Sequence, residues 1–149
     1  MASLDDLKKE RLKKLEILKA AGLDPYPAAS NRTSTIGDAL QNFANLAERE
    51  EALALAGRVM AIRGQGAIIF VDIFDGTGSL QGLLKRDEMG PASFDLFVET
   101  VDVGDFVELA GKLLATKRGE KTVQTSKWRM LAKSLLPLPE KWHGLVDEE

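Results

Sequence analysis

Ala67-Ile68-Ile69-Phe70-Val71-Asp72-Ile73-Phe74, then Asp75-Gly76-Thr77-Gly78, then Ser79-Leu80-Gln81-Gly82-Leu83-Leu84-Lys85 is the run that decides the fold. Its first part is rich in β-branched and aromatic residues and alternates with period two, as a half-buried strand does. The next four residues hold two glycines, which supply the positive φ of a tight turn. The last part is again strand-like, so the whole predicts a hairpin. Alternation assigns the faces. Ile69, Val71 and Ile73 are an all-β-branched set suited to a core, so Phe70, Asp72 and Phe74 point the other way. In the returning strand Leu80, Gly82 and Leu84 take the inward register, leaving Gln81, Leu83 and Lys85 outward. Gln81 can therefore share a surface with Phe70.

Upstream, Leu53 to Arg63 has the same period and predicts a first strand, closed by Gly64-Gln65-Gly66. Downstream, Pro91 suits the first position of a short helix running to about Val101, with Phe94, Phe97, Val98 and Val101 as its buried side. Asp102-Val103-Gly104 ends it. Asp105 to Thr116 predicts a fourth strand, Lys117-Arg118-Gly119-Glu120 a turn, and Lys121 to about Ala132 a fifth strand. Further upstream, residues 4–20 predict an amphipathic helix with Leu4, Leu7, Leu12, Leu15 and Leu18 as a narrow apolar stripe among lysines. Gly22 ends it, and Asp24-Pro25-Tyr26-Pro27 forms a stiff extended turn. A second helix follows Thr35, which with Asp38 makes a weak capping box; Ile36, Leu40, Phe43 and Leu46 are its apolar side.

The order of three strands, a helix and two strands matches the OB-fold, a five-stranded Greek-key barrel that binds oligonucleotides. Another small barrel or α+β domain remains open on order and spacing alone. The expected fold class is mainly β with helices. The expected organisation is a helical extension over residues 1–52, a barrel over 53–135, and a linker over 136–149.

At 149 residues, 44% hydrophobic and 29% charged, the chain suits one ordinary globular domain. It has no apolar run long enough for a membrane span, which takes about 18 residues, and its first residues lack the layout of a secretory signal. Without cysteine there is neither a disulfide framework nor a thiolate metal site, which fits a reducing cytoplasm. The net charge of −3 hides an uneven distribution. Residues 1–20 carry six basic and four acidic groups, and residues 105–141 eight basic and four acidic. Such a chain does not grip nucleic acid by bulk electrostatics. No catalytic constellation is visible: the single histidine, His143, stands beside Trp142 without a nucleophile or metal partner nearby. There is no P-loop, and Gly76-Thr77-Gly78 reads as turn chemistry.

OB-folds bind single strands mainly across their second and third strands. A flat ring such as Phe70 stacks any base for roughly 1–3 kcal/mol, so base identity must come from hydrogen bonds. Gln81 offers a donor and acceptors that suit the edge of uracil. Arg63, at the end of the first strand, can donate to a carbonyl or phosphate, and Glu120 can accept from a base N–H. Asp72, Phe74, Lys85 and Lys117 are candidate secondary contacts. Taken singly these are open to a plainer reading, as an outward Phe is often covered by a loop and the polar three are ordinary surface residues. A general single-strand binder and a partner-binding module are the competing functions.

Three stretches resemble the class II lysyl-tRNA synthetases: Leu18-Lys19-Ala20-Ala21-Gly22-Leu23-Asp24-Pro25-Tyr26-Pro27, Ala56-Gly57-Arg58-Val59-Met60, and Lys133-Ser134-Leu135-Leu136-Pro137-Leu138-Pro139-Glu140-Lys141-Trp142-His143-Gly144-Leu145. The resemblance implies that the chain is the N-terminal anticodon-binding module of such an enzyme, with lysine tRNA as its partner. It implies that Phe70 stacks the central uridine, Gln81 reads a base edge, and Arg63 and Glu120 fill the family's basic and acidic positions. Family members often have glutamine where Phe74 stands, a bulkier residue at Gly82 and a small one at Ile69. ATP and magnesium belong to the family's catalytic domain, so no cofactor and no catalysis are expected of this chain. A monomer is expected in isolation and a homodimer in the full-length enzyme.

Overall fold

The computed structural model describes residues 3–24, Tyr26, Ser30 and 32–135. The expected linker, His143, Pro25 and Pro27 lie outside the described residues.

Strands β1 (Leu53–Gln65), β2 (Ile68–Phe74), β3 (Ser79–Lys85), β4 (Phe106–Ala115) and β5 (Lys121–Ala132) close into a barrel in the order β1-β2-β3-β5-β4. Every strand pairing is antiparallel except β3 with β5, which run parallel, Gln81 opposite Thr122. The five strands, with helix between the third and fourth, follow the expected OB-fold order, although two helices lie there instead of one. β1 runs two residues further than its composition suggests. Gly64 pairs with Ile69 and Gln65 with Ile68, so the turn is Gly66-Ala67.

The expected faces of β2 hold, whereas on β3 burial is continuous from Leu80 to Leu84 and Leu83, expected outward, is covered. Ile69, Val71 and Ile73 are buried inside with Leu80 and Leu84, joined from the other strands by Leu55, Val59, Val107, Leu109 and Val123. Burial of each such side chain stabilises the fold by about 1.5–3 kcal/mol. Gly82 packs closely against two core side chains, which would have to shift to admit a larger residue. A Cβ there would stand 2.5 Å from Leu109 Cδ1 and 3.1 Å from Val71 Cγ1.

The helices are α1 (Leu4–Ala20), α2 (Ile36–Gln41), α3 (Phe43–Glu48), α4 (Arg86–Met89) and α5 (Pro91–Thr100). α5 carries Phe94 and Phe97 into the core, and Phe97 meets Trp128 edge-on at 5.1 Å. Val98, expected inside, is 52% exposed. The buried face of α5 runs through Phe94, Phe97, Thr100 and Val101, turned toward Thr100, and that rotation carries Val98 out. α1 also departs from the simple apolar stripe. Its buried residues are Arg11, Leu15 and Leu18, whereas Leu4 and Leu12 face solvent. The seam is polar at Arg11 because two carbonyls need donors there: Arg11 gives Nη1–H to Ser134 O (3.1 Å) and Nη2–H to Val103 O (3.3 Å). The expected second helix is broken at Asn42 into α2 and α3. Thr35 caps α2, its hydroxyl accepting from Asp38 N–H at 3.1 Å.

The segment before the barrel is fastened to it. Leu18, Ile36, Ala39 and Leu46 belong to the same buried cluster as the barrel residues. The turn residue Asp75 accepts from Ile36 N–H (2.8 Å), Thr77 N–H (2.9 Å), Thr77 Oγ1 (2.6 Å) and Gly78 N–H (3.2 Å). Those bonds support the turn reading of Gly76-Thr77-Gly78. They also hold the carboxyl below the usual carboxylate range, outweighing the opposing effect of its burial.

Candidate nucleic-acid interface

Strand pairing assembles the site. On β1 and β2, Arg63 and Phe70 are direct cross-strand partners; on β2 and β3, Asp72 and Gln81 are. All lie on the outer face, because Ile69, Val71 and Ile73 occupy the inner one. The turn between β4 and β5 folds over them. The result is an open cleft of about 740 Å³ lined by Arg63, Phe70, Asp72, Gln81, Thr116, Lys117, Arg118 and Glu120. Phe70 is half-buried, presenting part of its ring to this space.

The polar wall is ordered internally. Arg63 pairs with Asp72 through two bonds, Nη1 to Oδ2 at 2.6 Å and Nη2 to Oδ1 at 3.2 Å. The hydrogen bond to Asp72 is the main reason the guanidinium is held above its ordinary pKa, with Glu120 adding a smaller attraction. Arg63 therefore keeps its charge at every working pH. Its Nη2 also donates to Gln81 Oε1 at 3.0 Å. On the other side Gln81 Nε2 donates to Thr122 Oγ1 at 3.1 Å, and Thr122 Oγ1 donates to Glu120 O at 3.1 Å. Gln81 is only 8% exposed, so its amide is a packed group with one edge toward the cleft. Among the described residues, one Nε2 proton and one Oε1 lone pair have no partner, a donor beside an acceptor.

The four principal candidates from the sequence, Phe70, Gln81, Arg63 and Glu120, thus line one cleft. Of the secondary ones, Asp72 and Lys117 line it too, and Asp72 holds Arg63 in place. Phe74 does not. It is 38% exposed and sits in a separate groove with Arg58 and Phe106, where the Arg58 guanidinium lies 4.6 Å from the Phe106 ring centre. Lys85, opposite Ile68 at the far end of the hairpin, lines neither. Thr116 and Arg118 were not singled out by the sequence, although their turn already held two candidates. Thr122 carried no signal at all, since only the parallel pairing of β3 with β5 puts it opposite Gln81.

Among the described residues no group of His, Cys, Asp or Glu is arranged to hold a metal ion, and no helix is long and apolar enough to cross a membrane. What the cleft offers is a ring face, a fixed amide, a guanidinium, a carboxylate and a basic loop. That set is chemically suited to a planar, hydrogen-bonding ligand that carries a phosphate.

Comparison with known proteins agrees. The chain is 46% identical over 147 residues to the lysine–tRNA ligase of Roseiflexus castenholzii, spanning 98% of this chain and 30% of that protein. It is 41% identical over 147 residues to the lysine–tRNA ligase of Dehalococcoides mccartyi, spanning 96% and 29%. It is 38% identical over 150 residues to that of Thermotoga maritima, spanning 98% and 30%. The chain thus spans about three tenths of the length of the curated relatives it matches. Residues 53–131, which hold all five strands but the last residue of β5, match the family model for the tRNA anticodon OB-fold nucleic-acid-binding domain. By its barrel, its cleft and this match, the chain belongs to the tRNA anticodon-binding family of OB-fold domains.

Proposed function

We propose that this chain binds the anticodon loop of a lysine tRNA and serves as the tRNA-recognition part of a lysine–tRNA ligase. The observation that carries the reading is the convergence of Phe70, Arg63, Gln81 and Glu120 on one cleft. A base enters flat against Phe70, which stabilises it by roughly 1–3 kcal/mol without regard to identity. Gln81 then tests its edge. Uracil carries an N–H between two carbonyl oxygens, so it meets the free Oε1 lone pair and Nε2 proton of Gln81 with the right partners. Lys117 and Arg118 face the backbone phosphates, while Glu120 accepts from a base N–H.

The relatives' names support lysine tRNA as the ligand and ligation as the purpose. Chemistry is assigned to the part of the ligase that this chain does not span; ATP and magnesium act there, and this chain works by adding a second contact on the same tRNA. The test is a titration of the chain with a uridine-rich lysine anticodon stem-loop and with one of scrambled loop sequence. Preference for the former, with a shallow dependence on salt, is the expected result. Equal binding with a steep salt dependence is the behaviour of a general single-strand binder and would overturn the reading.

A further inference from the structure

The hydrogen bonds behind the cleft add a residue to this recognition scheme, and the step rests on the reading just given. A glutamine amide has two orientations of nearly equal shape, with donor and acceptor exchanged. In water they interconvert freely, and a freely turning amide suits cytosine as well as uracil. Cytosine presents an acceptor at N3 and a donor at N4 where uracil presents a donor and an acceptor. An amide fixed for one is wrong for the other at both contacts.

Gln81 is fixed from both sides. Arg63 Nη2 can only donate, so it demands Oε1, which it meets at 3.0 Å. Thr122 Oγ1 could donate or accept, but its proton is given to Glu120 O at 3.1 Å. What remains on Thr122 is an acceptor, and it receives Nε2–H from Gln81 at 3.1 Å. A reversed amide would set donor against donor at Arg63, and Thr122 could meet it only by turning its proton away from the Glu120 carbonyl. Thr122 is fully buried, so no water relieves that mismatch. β3 and β5 hold the pair in register, Gln81 and Thr122 being direct partners in the parallel pairing.

We infer that Thr122 is the positioning residue for base choice: with the Glu120 carbonyl behind it, Thr122 locks the Gln81 amide in the orientation that accepts uracil and rejects cytosine. Thr122 touches no base itself. It acts through Gln81.

The experiment measures affinities for two stem-loops that differ by uridine or cytidine at the central anticodon position, using the whole chain. Thr122→Val keeps the shape of the side chain and removes its oxygen. The uridine-to-cytidine affinity ratio should fall several-fold, by up to about tenfold, with most of the change a gain for cytidine. Thr122→Ser restores the oxygen and should restore the ratio. In the free protein, the side-chain amide protons of Gln81 should shift on Thr122→Val and return on Thr122→Ser, as followed by NMR. A Thr122→Val ratio equal to that of the wild type overturns the inference and leaves the anticodon reading standing. An equal loss for both stem-loops also overturns it, since that is the mark of a merely structural threonine. A wild-type chain that ignores the difference between the two loops overturns both.

Discussion

An outward phenylalanine on a barrel strand has one meaning when a loop covers it and another when it faces an open cleft. At position 70 the distinction rests on register: Ile69 is buried at 8% exposure, and the ring of the next residue lines the cleft. That register was legible in the sequence, because Ile69, Val71 and Ile73 are all β-branched, whereas Phe70, Asp72 and Phe74 between and after them are not. The chemistry of Gln81 was legible only in part. Its type offers both halves of a base-edge contact, but the orientation of its amide is set by Arg63 from β1 and Thr122 from β5, residues 18 and 41 positions away. No local pattern encodes such a pairing. A prediction at this scale follows from Gln81 being the reader and Phe70 the platform. Gln81→Ala should narrow the preference for uridine over cytidine more than it lowers overall affinity, as measured by competition between the two stem-loops. General weakening with the preference intact would count against readout by this side chain.

The hairpin of β2 and β3 was the clearest element in the sequence, and its turn has a second duty. Asp75 closes the turn and also accepts from the first amide of α2. Its carboxyl is held low by these bonds, so the stability it contributes is present above the ordinary carboxylate value of 3.8 and is lost as pH falls through the lower folded value. Asp75→Asn should cost about 1–3 kcal/mol at neutral pH. The variant should also lose less stability than the wild type on acidification through that window, as read from denaturant midpoints at several pH values. Identical pH profiles would place the acid sensitivity elsewhere. The helices were less legible than the strands. Periodicity located α1 and α5 and placed Leu15, Leu18, Phe94, Phe97 and Val101 inside, but it missed the edges of both faces, because burial there is decided by what each helix meets. Arg11 is buried among carbonyls that no stretch of α1 announces, and α5 is turned far enough to expose Val98. The single turn of α4 had no signal in the composition.

Across the whole molecule, the N-terminal helix and the far end of the barrel meet at a buried charge cluster. Lys133, 3% exposed, donates to Asp102 at 2.6 Å and to Asp105 at 2.7 Å; Lys14 also bonds Asp102. Asp105 further accepts from the amides of Asp102 and Ser134, and Tyr26 O–H donates to Lys133 O. Burial, the larger effect, lifts the Asp105 carboxyl above its usual range against the pull of Lys133, while the lysines carry Asp102 below it despite its burial. Removing one member strands a buried charge. Lys133→Met should destabilise the fold by about 3–5 kcal/mol, and adding Asp105→Asn should recover much of that. Urea denaturation of the two variants checks it, and a neutral single substitution would mean the cluster is more hydrated than its burial implies. The uneven charge seen along the sequence finds part of its explanation here, since several of those basic groups serve the fold. The claim on which the account depends is that the barrel holds Phe70 as an open stacking platform, and the binding of a lysine anticodon stem-loop to Phe70→Ala tests it most directly. The account predicts a loss of roughly 1–3 kcal/mol in binding with the fold intact. Wild-type affinity in that variant would contradict it.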